Sequence, residues 1–249
     1  MKKALITGAS EGIGRALTKA LCKEGYAICA VARNEQRLKG LLQEMDGNSH
    51  SYLLADLGTQ EGQQTVLREL GAEHYHLLVN NAGFGHYEAF TDTNLALFDN
   101  LLAVNCHAVL TLSHHFLRTS QSGDALINVS SVLGYLPMPK MAVYAASKAF
   151  VTSLSEALWE EQRGRGVYVM NLCPGVTETR FQERSGMGGH FKPPRLVVQS
   201  PEHVAQRAVA ELRRRGKPSV VSGVLNSFFL FCTRWISREA LLRAMGLYR

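Results

Sequence analysis

The chain has 249 residues, 46% of them hydrophobic, and a mean hydropathy of -0.06. This supports one sizeable core and excludes a disordered tail, a collagen-like fibre and a disulfide-stapled miniprotein. The net charge of +6 is uneven: residues 192–249 hold eleven Lys/Arg against three Glu, whereas the first 191 hold sixteen basic and eighteen acidic residues.

The chain opens with a strand at Lys3–Thr7. Its apolar run is too short for a signal peptide, and no apolar run is read as reaching the roughly 18 residues of a spanning helix. A cytoplasmic location is the expectation. The strand enters Thr7-Gly8-Ala9-Ser10-Glu11-Gly12-Ile13-Gly14 and then a helix over Gly14–Glu24. Glycines at 8, 12 and 14 permit a tight turn, close approach to a pyrophosphate and packing of helix on sheet. The helix N-terminus offers N–H groups and a positive dipole end to phosphate.

A second strand, Ala27–Ala32, ends in Arg33 and Asn34. In a doubly wound dinucleotide-binding sheet this point faces the adenosine ribose, where an acid takes the 2′-OH of NAD and an Arg takes a 2′-phosphate. No acid follows the strand here. An arginine fork suits phosphate, which favours NADP(H) over NAD(H). A helix over Gln36–Met45, a strand over Ser51–Ala55 and a helix over Gly62–Leu70 come next. The fourth strand, Leu77–Asn80, runs into Asn80-Asn81-Ala82-Gly83 at the carboxyl edge, where open α/β sheets bind ligands.

One long helix is predicted over Leu95–Ser120, then a strand over Ala125–Ser130 that delivers Ser131. In the next helix, Val143–Gly164, Tyr144 and Lys148 are spaced i,i+4 and share a face. A nearby ammonium favours the phenolate and lowers the tyrosine pKa, so Tyr144 is expected to exchange a proton with a carbonyl or alcohol oxygen. Strands at Val167–Cys173 and Ser219–Ser222 flank a helix over Pro201–Arg215. Strand–helix alternation with continuous apolar strands predicts a single-domain α/β fold with a doubly wound, Rossmann-type parallel sheet and helices on both faces.

Five cysteines without C-x-x-C spacing read as free thiols, and the pairs His74/His76 and His114/His115 lack metal-ligand spacing, so no metal is expected. Phe84, Gly85, Leu133, Gly134, Tyr135 and Leu136 are expected to line the substrate cleft. Residues 178–200, with Gly186, Gly188, Gly189, Pro193 and Pro194, read as a lid over substrate or as a loose surface loop. Residues 224–249 are amphipathic and basic. On a helix Leu225, Phe228, Phe229, Cys232, Trp235 and Ile236 share a face. That face packs on the core or a second subunit, walls an apolar pocket, or, the last of the three in rank, rests on an anionic membrane. Arg213-Arg214-Arg215 suits a helix C-terminus, and no nucleic-acid module accompanies it.

Together Thr7–Gly14, Asn80–Gly83, Ser131, Tyr144 and Lys148 resemble the short-chain dehydrogenase/reductase family over nearly the whole chain. The resemblance implies hydride transfer between a nicotinamide and a carbonyl or secondary alcohol carbon. It makes Ser131, Tyr144 and Lys148 the catalytic set, with Asn105 holding a water that relays protons beyond Lys148. It places Gly8, Ser10, Gly12, Ile13, Gly14, Arg33, Asn34, Asp56, Leu57, Asn80, Ala82 and Gly83 on the cofactor, along with Tyr144, Lys148, Pro174, Gly175, Val176, Thr177 and Thr179. It implies a small-molecule carbonyl or alcohol substrate, taken as apolar or acyl-like from the C-terminal segment, and a homodimer or homotetramer. Glu11 departs from the basic residue that many NADP-preferring members carry there. The rival reading is an idle dinucleotide-binding fold acting as a redox sensor or scaffold.

Overall fold

Successive side chains of a strand point to opposite faces, so a strand buried on both sides reads as an unbroken apolar run. The five central strands of the seven-stranded sheet are largely such runs, and its two edge strands are less buried. The computed structural model describes residues 1–47, 49–187 and 194–246. Its strands are β1 (Lys3–Thr7), β2 (Ala27–Ala32), β3 (Ser51–Leu54), β4 (Leu77–Asn80), β5 (Ala125–Val129), β6 (Tyr168–Cys173) and β7 (Ser219–Val221). Their order is β3-β2-β1-β4-β5-β6-β7, every neighbouring pair parallel. The direction of winding reverses between β1 and β4, which opens a crevice at their carboxyl ends.

The helices are α1 (Gly12–Lys23), α2 (Glu35–Gln43), α3 (Gln60–Ala72), α4 (Leu95–Leu102), α5 (Val109–Thr119), α6 (Ala142–Arg163), α7 (Phe181–Arg184), α8 (Pro201–Arg214), α9 (Val224–Thr233) and α10 (Arg238–Gly246). Ile6, Val79, Ile127 and Met170 face α1, α2 and α8, where Leu17, Leu21, Leu38 and Val204 meet them. The alternate residues Leu5, Leu78, Leu126 and Val169 face the other way, onto Val66, Leu70, Leu112 and Phe116 of α3 and α5. Leu5, Ile6, Leu78 and Leu126 are fully buried. Truncating any of them to Ala costs about 2–5 kcal/mol in transfer and cavity energy.

Helix starts follow from their caps. Asn34 Oδ1 accepts from Arg37 N at 2.9 Å, Thr59 Oγ1 from Gly62 N at 3.0 Å, and Ser200 Oγ from His203 N at 3.1 Å ahead of Pro201. Each satisfies an otherwise orphaned N–H.

Three expectations change. The long helix expected over Leu95–Ser120 is interrupted by a π-helical turn, Ala103–Ala108, between α4 and α5. The run Leu95–Thr119 is also long and apolar enough, by length and composition, to cross a membrane, contrary to the sequence reading. Here Phe98, Leu101, Leu112 and Phe116 bury one side of it in the domain. At the C-terminus the expected apolar face turns outward. Of that face, Leu225, Phe228, Phe229, Trp235 and Ile236 are 42%, 65%, 46%, 83% and 45% exposed, so it does not pack on the core.

The described part of 178–200 is tied down: Glu178 N donates to Gln199 O at 2.8 Å and Gln199 N to Val176 O at 2.9 Å. Gly188, Gly189 and Pro193, on which the lid reading leaned, lie outside the described residues, as does Arg249.

Candidate active site

The glycine-rich turn is fixed by contacts that leave no room for a side chain. Gly8 and Gly12 sit at φ +66° and +53°. A Cβ at Gly14 would collide with the Gly8 carbonyl oxygen and Asn81 Nδ2. Asn81 stitches β4 to β1: its Nδ2 donates to the Thr7 and Gly8 carbonyls at 3.0 and 3.2 Å. Thr7 Oγ1 accepts from Asn81 N at 3.0 Å and Ala82 N at 3.1 Å. α1 begins at Gly12 without a side-chain cap, leaving first-turn N–H groups for an anion. Ser10 and Ile13 flank this turn, half-buried.

Two residues expected on the cofactor have their side chains elsewhere. Asn80 Nδ2 donates inward, to Asn128 Oδ1 at 2.9 Å and Ser113 Oγ at 3.0 Å. The strand pleat sends neighbouring side chains opposite ways, so only one of the paired asparagines reaches the turn. Leu57 is a core residue beneath α3. It is apolar, and burial there keeps it from water.

Arg33, past β2, is exposed, with Nη1 3.6 Å from Asp56 Oδ2 beyond β3. Asp56 Oδ1 also accepts from Gly58 N at 3.0 Å. So exposed a pair contributes about 0–1 kcal/mol, and Arg33 stays available to a stronger anion. Asn34 caps α2. Glu11 does not cap α1; its carboxylate accepts from Arg37 Nη1 at 2.6 Å and from Arg184 Nη1, tying the turn to α2 and α7.

Across the crevice, Ser131 follows β5 and caps a short 3-10 turn, its Oγ accepting from Leu133 N at 3.1 Å. Tyr144 and Lys148 lie one turn apart on α6, both buried, with Lys148 Nζ 5.8 Å from the centre of the Tyr144 ring. Nζ donates to Val129 O at 2.9 Å, and Ser130 Oγ donates to Lys148 O at 2.8 Å. Asn105 sits fully buried in the π-helical turn. Its Oδ1 accepts from Phe84 N at 3.1 Å, and its Nδ2 donates to Phe84 O at 2.9 Å and Ser147 Oγ at 3.1 Å. That amide positions the Gly83-Phe84 backbone: a Cβ on Gly83 would lie 3.1 Å from Asn105 Oδ1 and 3.3 Å from Lys148 Nζ. A π turn inside a helix is a frequent mark of a functional position.

The sequence reading has Lys148 lowering the Tyr144 phenol. Burial dominates instead. It pushes Tyr144 up to about 12, opposed by a hydrogen bond with Ser131, and lowers Lys148 to about 8. A desolvated amine turned to the Val129 carbonyl does little for the phenolate.

Pro174–Thr179 crosses above the turn. Pro174 O accepts from Val132 N at 3.0 Å, Thr177 Oγ1 donates to Gly175 O at 3.0 Å, and a Cβ on Gly12 would lie 3.1 Å from the Thr179 methyl. Val176 is half-buried beside them.

The substrate side is apolar. Tyr144 lies in a cluster with Met141 and Met187, packed by Phe84, Leu133, Phe181 and Met245. The Phe181 ring centre is 5.3 Å from that of Tyr144. Gly85 faces both rings. Of the six residues expected in the cleft, Tyr135 turns away: its hydroxyl donates to Glu156 Oε1 at 2.9 Å. Gly134 packs beneath α6 and Leu136 is buried. Sequence reasoning missed Phe181 and Met245, and placed Asn81 at the ligand edge without giving it a role. The doubled asparagine was the one local signal among them; Met245 reaches the site only through the fold.

The short chain dehydrogenase family profile matches residues 2–187. A sulfoacetaldehyde reductase of Chromohalobacter salexigens is 33% identical over 185 residues, 71% of this chain and 73% of the relative. An uncharacterized oxidoreductase of Staphylococcus epidermidis is 32% identical over 199 residues, 77% and 84% of the two chains. Among solved structures, the NADPH complex of a short-chain dehydrogenase from Sphingobium yanoikuyae superposes with a TM-score of 0.82 at 28% identity, covering 94% of each chain. A 7β-hydroxysteroid dehydrogenase superposes with a TM-score of 0.88 at 26% identity, covering 98% of this chain and 96% of the other.

Proposed function

The chain belongs to the short-chain dehydrogenase family, oxidoreductases acting on CH–OH and C=O groups with a nicotinamide dinucleotide, and from that premise we propose that it uses NADP(H) in preference to NAD(H) to interconvert a bulky apolar ketone and its secondary alcohol. One observation carries the reading: Ser131, Tyr144 and Lys148 meet Gly83 and Asn105 at the carboxyl edge of the sheet, opposite the glycine-rich turn.

The site fits the dinucleotide. Gly8, Gly12 and Gly14 keep clear the volume that side chains would fill, and α1 presents uncapped N–H groups. When bound, that cofactor supplies or accepts the hydride. In reduction the Tyr144 hydroxyl gives its proton to the substrate oxygen; in oxidation it takes one back. Ser131 Oγ orients that oxygen. Lys148 Nζ binds the nicotinamide ribose hydroxyls, and Asn105 fixes the backbone beside it.

Arg33 holds the 2′-phosphate. Supporting this, no acid follows β2, the Asp56 pair is weak, and one structural neighbour carries NADPH. Phe181, Met141, Met187 and Met245 around Tyr144 favour a bulky apolar substrate, and a hydroxysteroid dehydrogenase among the neighbours agrees with it. Five free cysteines suit the reducing cytoplasm. Leu102, Leu110 and Phe150, exposed on α4, α5 and α6, offer an apolar face for a homodimer or homotetramer.

The test is cofactor oxidation by the purified protein with a panel of bulky apolar ketones and small polar aldehydes. NADPH consumption with the ketones, at least tenfold faster than with NADH, is expected. Faster turnover with NADH, or with the small aldehydes alone, overturns the assignment.

A further inference from the structure

An apolar stripe stands in water at the C-terminus. Val224, Phe228 and Phe231 recur at i, i+4 and i+7 along α9, the spacing of one helical face, and Trp235 stands in the turn just past its end; the four are 85%, 65%, 55% and 83% exposed. Leu225, Phe229 and Ile236 widen it, at 42%, 46% and 45%. Single exposed hydrophobes need no explanation, but a contiguous patch of aromatics does.

The helix carrying it is anchored. At its start, Asn226 packs onto Gly175 and donates Nδ2 to Ser222 O at 2.8 Å. Beyond it, α10 buries Leu241 and sets Met245 against the cluster that holds Tyr144. Both ends of the α9–α10 unit are thus fastened to the site, and the stripe between them is held outward.

Charge decides what covers it. Arg234, Arg238 and Arg243 accompany the stripe and Glu239 is the single acid of α9–α10; it pairs with Arg243. Arg234 and Arg238 make no ion pair among the described residues. A second copy docked by the same face about a two-fold axis would set arginines near arginines. Leu102, Leu110 and Phe150, exposed on α4, α5 and α6, give such a copy apolar side chains to meet elsewhere. Anionic headgroups neutralise the arginines while the aromatics enter the acyl boundary. At 10 residues α9 is about 15 Å long, half a bilayer core, so it lies in the interface and does not span it.

We propose that α9 is an interfacial helix that seats the protein on an anionic lipid surface, with the mouth of the active site beside it. The inference is independent of the cofactor and substrate assignments, because its test needs neither.

The full chain is floated with vesicles of phosphatidylcholine alone or mixed with phosphatidylglycerol. Of the two tryptophans, Trp159 packs against the core, so a Trp159→Phe background leaves Trp235 as reporter. Expected are capture by the phosphatidylglycerol vesicles, a blue shift of Trp235 emission, and weakening by high salt. Phe228→Ser with Phe231→Ser should cut capture at least tenfold, with far-UV circular dichroism and unfolding temperature unchanged because both side chains are exposed. No capture at millimolar lipid, or capture insensitive to that pair, overturns the proposal. So does light scattering that shows an oligomer dissociated by the same pair, since the stripe then belongs to a second copy.

Discussion

The two sides of the crevice are built by different rules. On the nucleotide side, backbone approaches backbone: Gly14 abuts the Gly8 carbonyl, and Asn81 bonds that same oxygen at 3.2 Å. Only one residue type fits such positions. On the substrate side, Met141, Met187, Met245 and Phe181 surround Tyr144 through flexible or tilted side chains. Methionine adapts to irregular gaps, so these positions demand volume and apolarity and little else. The first side fixes the chemistry; the second leaves the choice of substrate open to many sequences.

Tyr144 stands at the seam, and removing its hydroxyl separates the two sides most sharply. Tyr144→Phe should lower turnover about 10³-fold, within the range of a lost general acid, while NADPH affinity by fluorescence titration is kept. Near-normal turnover would remove Tyr144 as the proton donor.

Lys148 sharpens the contrast between function and stability. Burial lowers its amine from 10.5 to about 8. Between those values the unfolded chain binds more protons on this group than the folded chain, so its contribution to stability rises with pH across that window. At pH 7 the shift corresponds to a cost of about 3 kcal/mol at most. Lys148→Met should therefore abolish turnover yet unfold at higher urea than the parent at pH 7, by about 1–3 kcal/mol. The advantage should shrink as pH rises from 8 towards 10. Urea melts at pH 7 and 9.5 read this directly. A variant less stable than the parent at pH 7 would show that the Val129 hydrogen bond outweighs desolvation.

These two residues also mark where the sequence stops being legible. The strands are plain, because burial on both faces leaves unbroken apolar runs such as Ala27–Ala32. The i,i+4 placing of Tyr144 and Lys148 follows from helix geometry alone. The sign of the Tyr144 shift does not, because it depends on depth beneath Phe181 and Met141. Asn80 and Asn81 are identical in sequence and opposite in role, since only the pleat distinguishes them. The π turn at Ala103–Ala108 is written in residues that an α-helix also accepts. The stripe from Val224 to Trp235 reads like a core helix, and only its placement outside the sheet exposes it.

Arg33 tests the nucleotide side away from the chemistry. A charge-assisted contact to phosphate contributes about 1.5–3 kcal/mol. Arg33→Ala should raise the NADPH dissociation constant about 10–100-fold and leave that for NADH within twofold. Equal losses for both cofactors would reject the phosphate role and point to a general effect through Asp56.

The smallest effect is expected where the packing is most tolerant. Met245 reaches the Tyr144 cluster from α10, the described element farthest along the chain, and it is half-buried there. Met245→Ala removes part of an apolar wall without touching a hydrogen bond or a glycine contact. A half-buried methionine forfeits about 1 kcal/mol, so KM for a bulky ketone should rise about fivefold while kcat and NADPH affinity hold. If kcat fell with KM unchanged, Met245 would be positioning Tyr144 rather than substrate, and the substrate side would be as exacting as the nucleotide side.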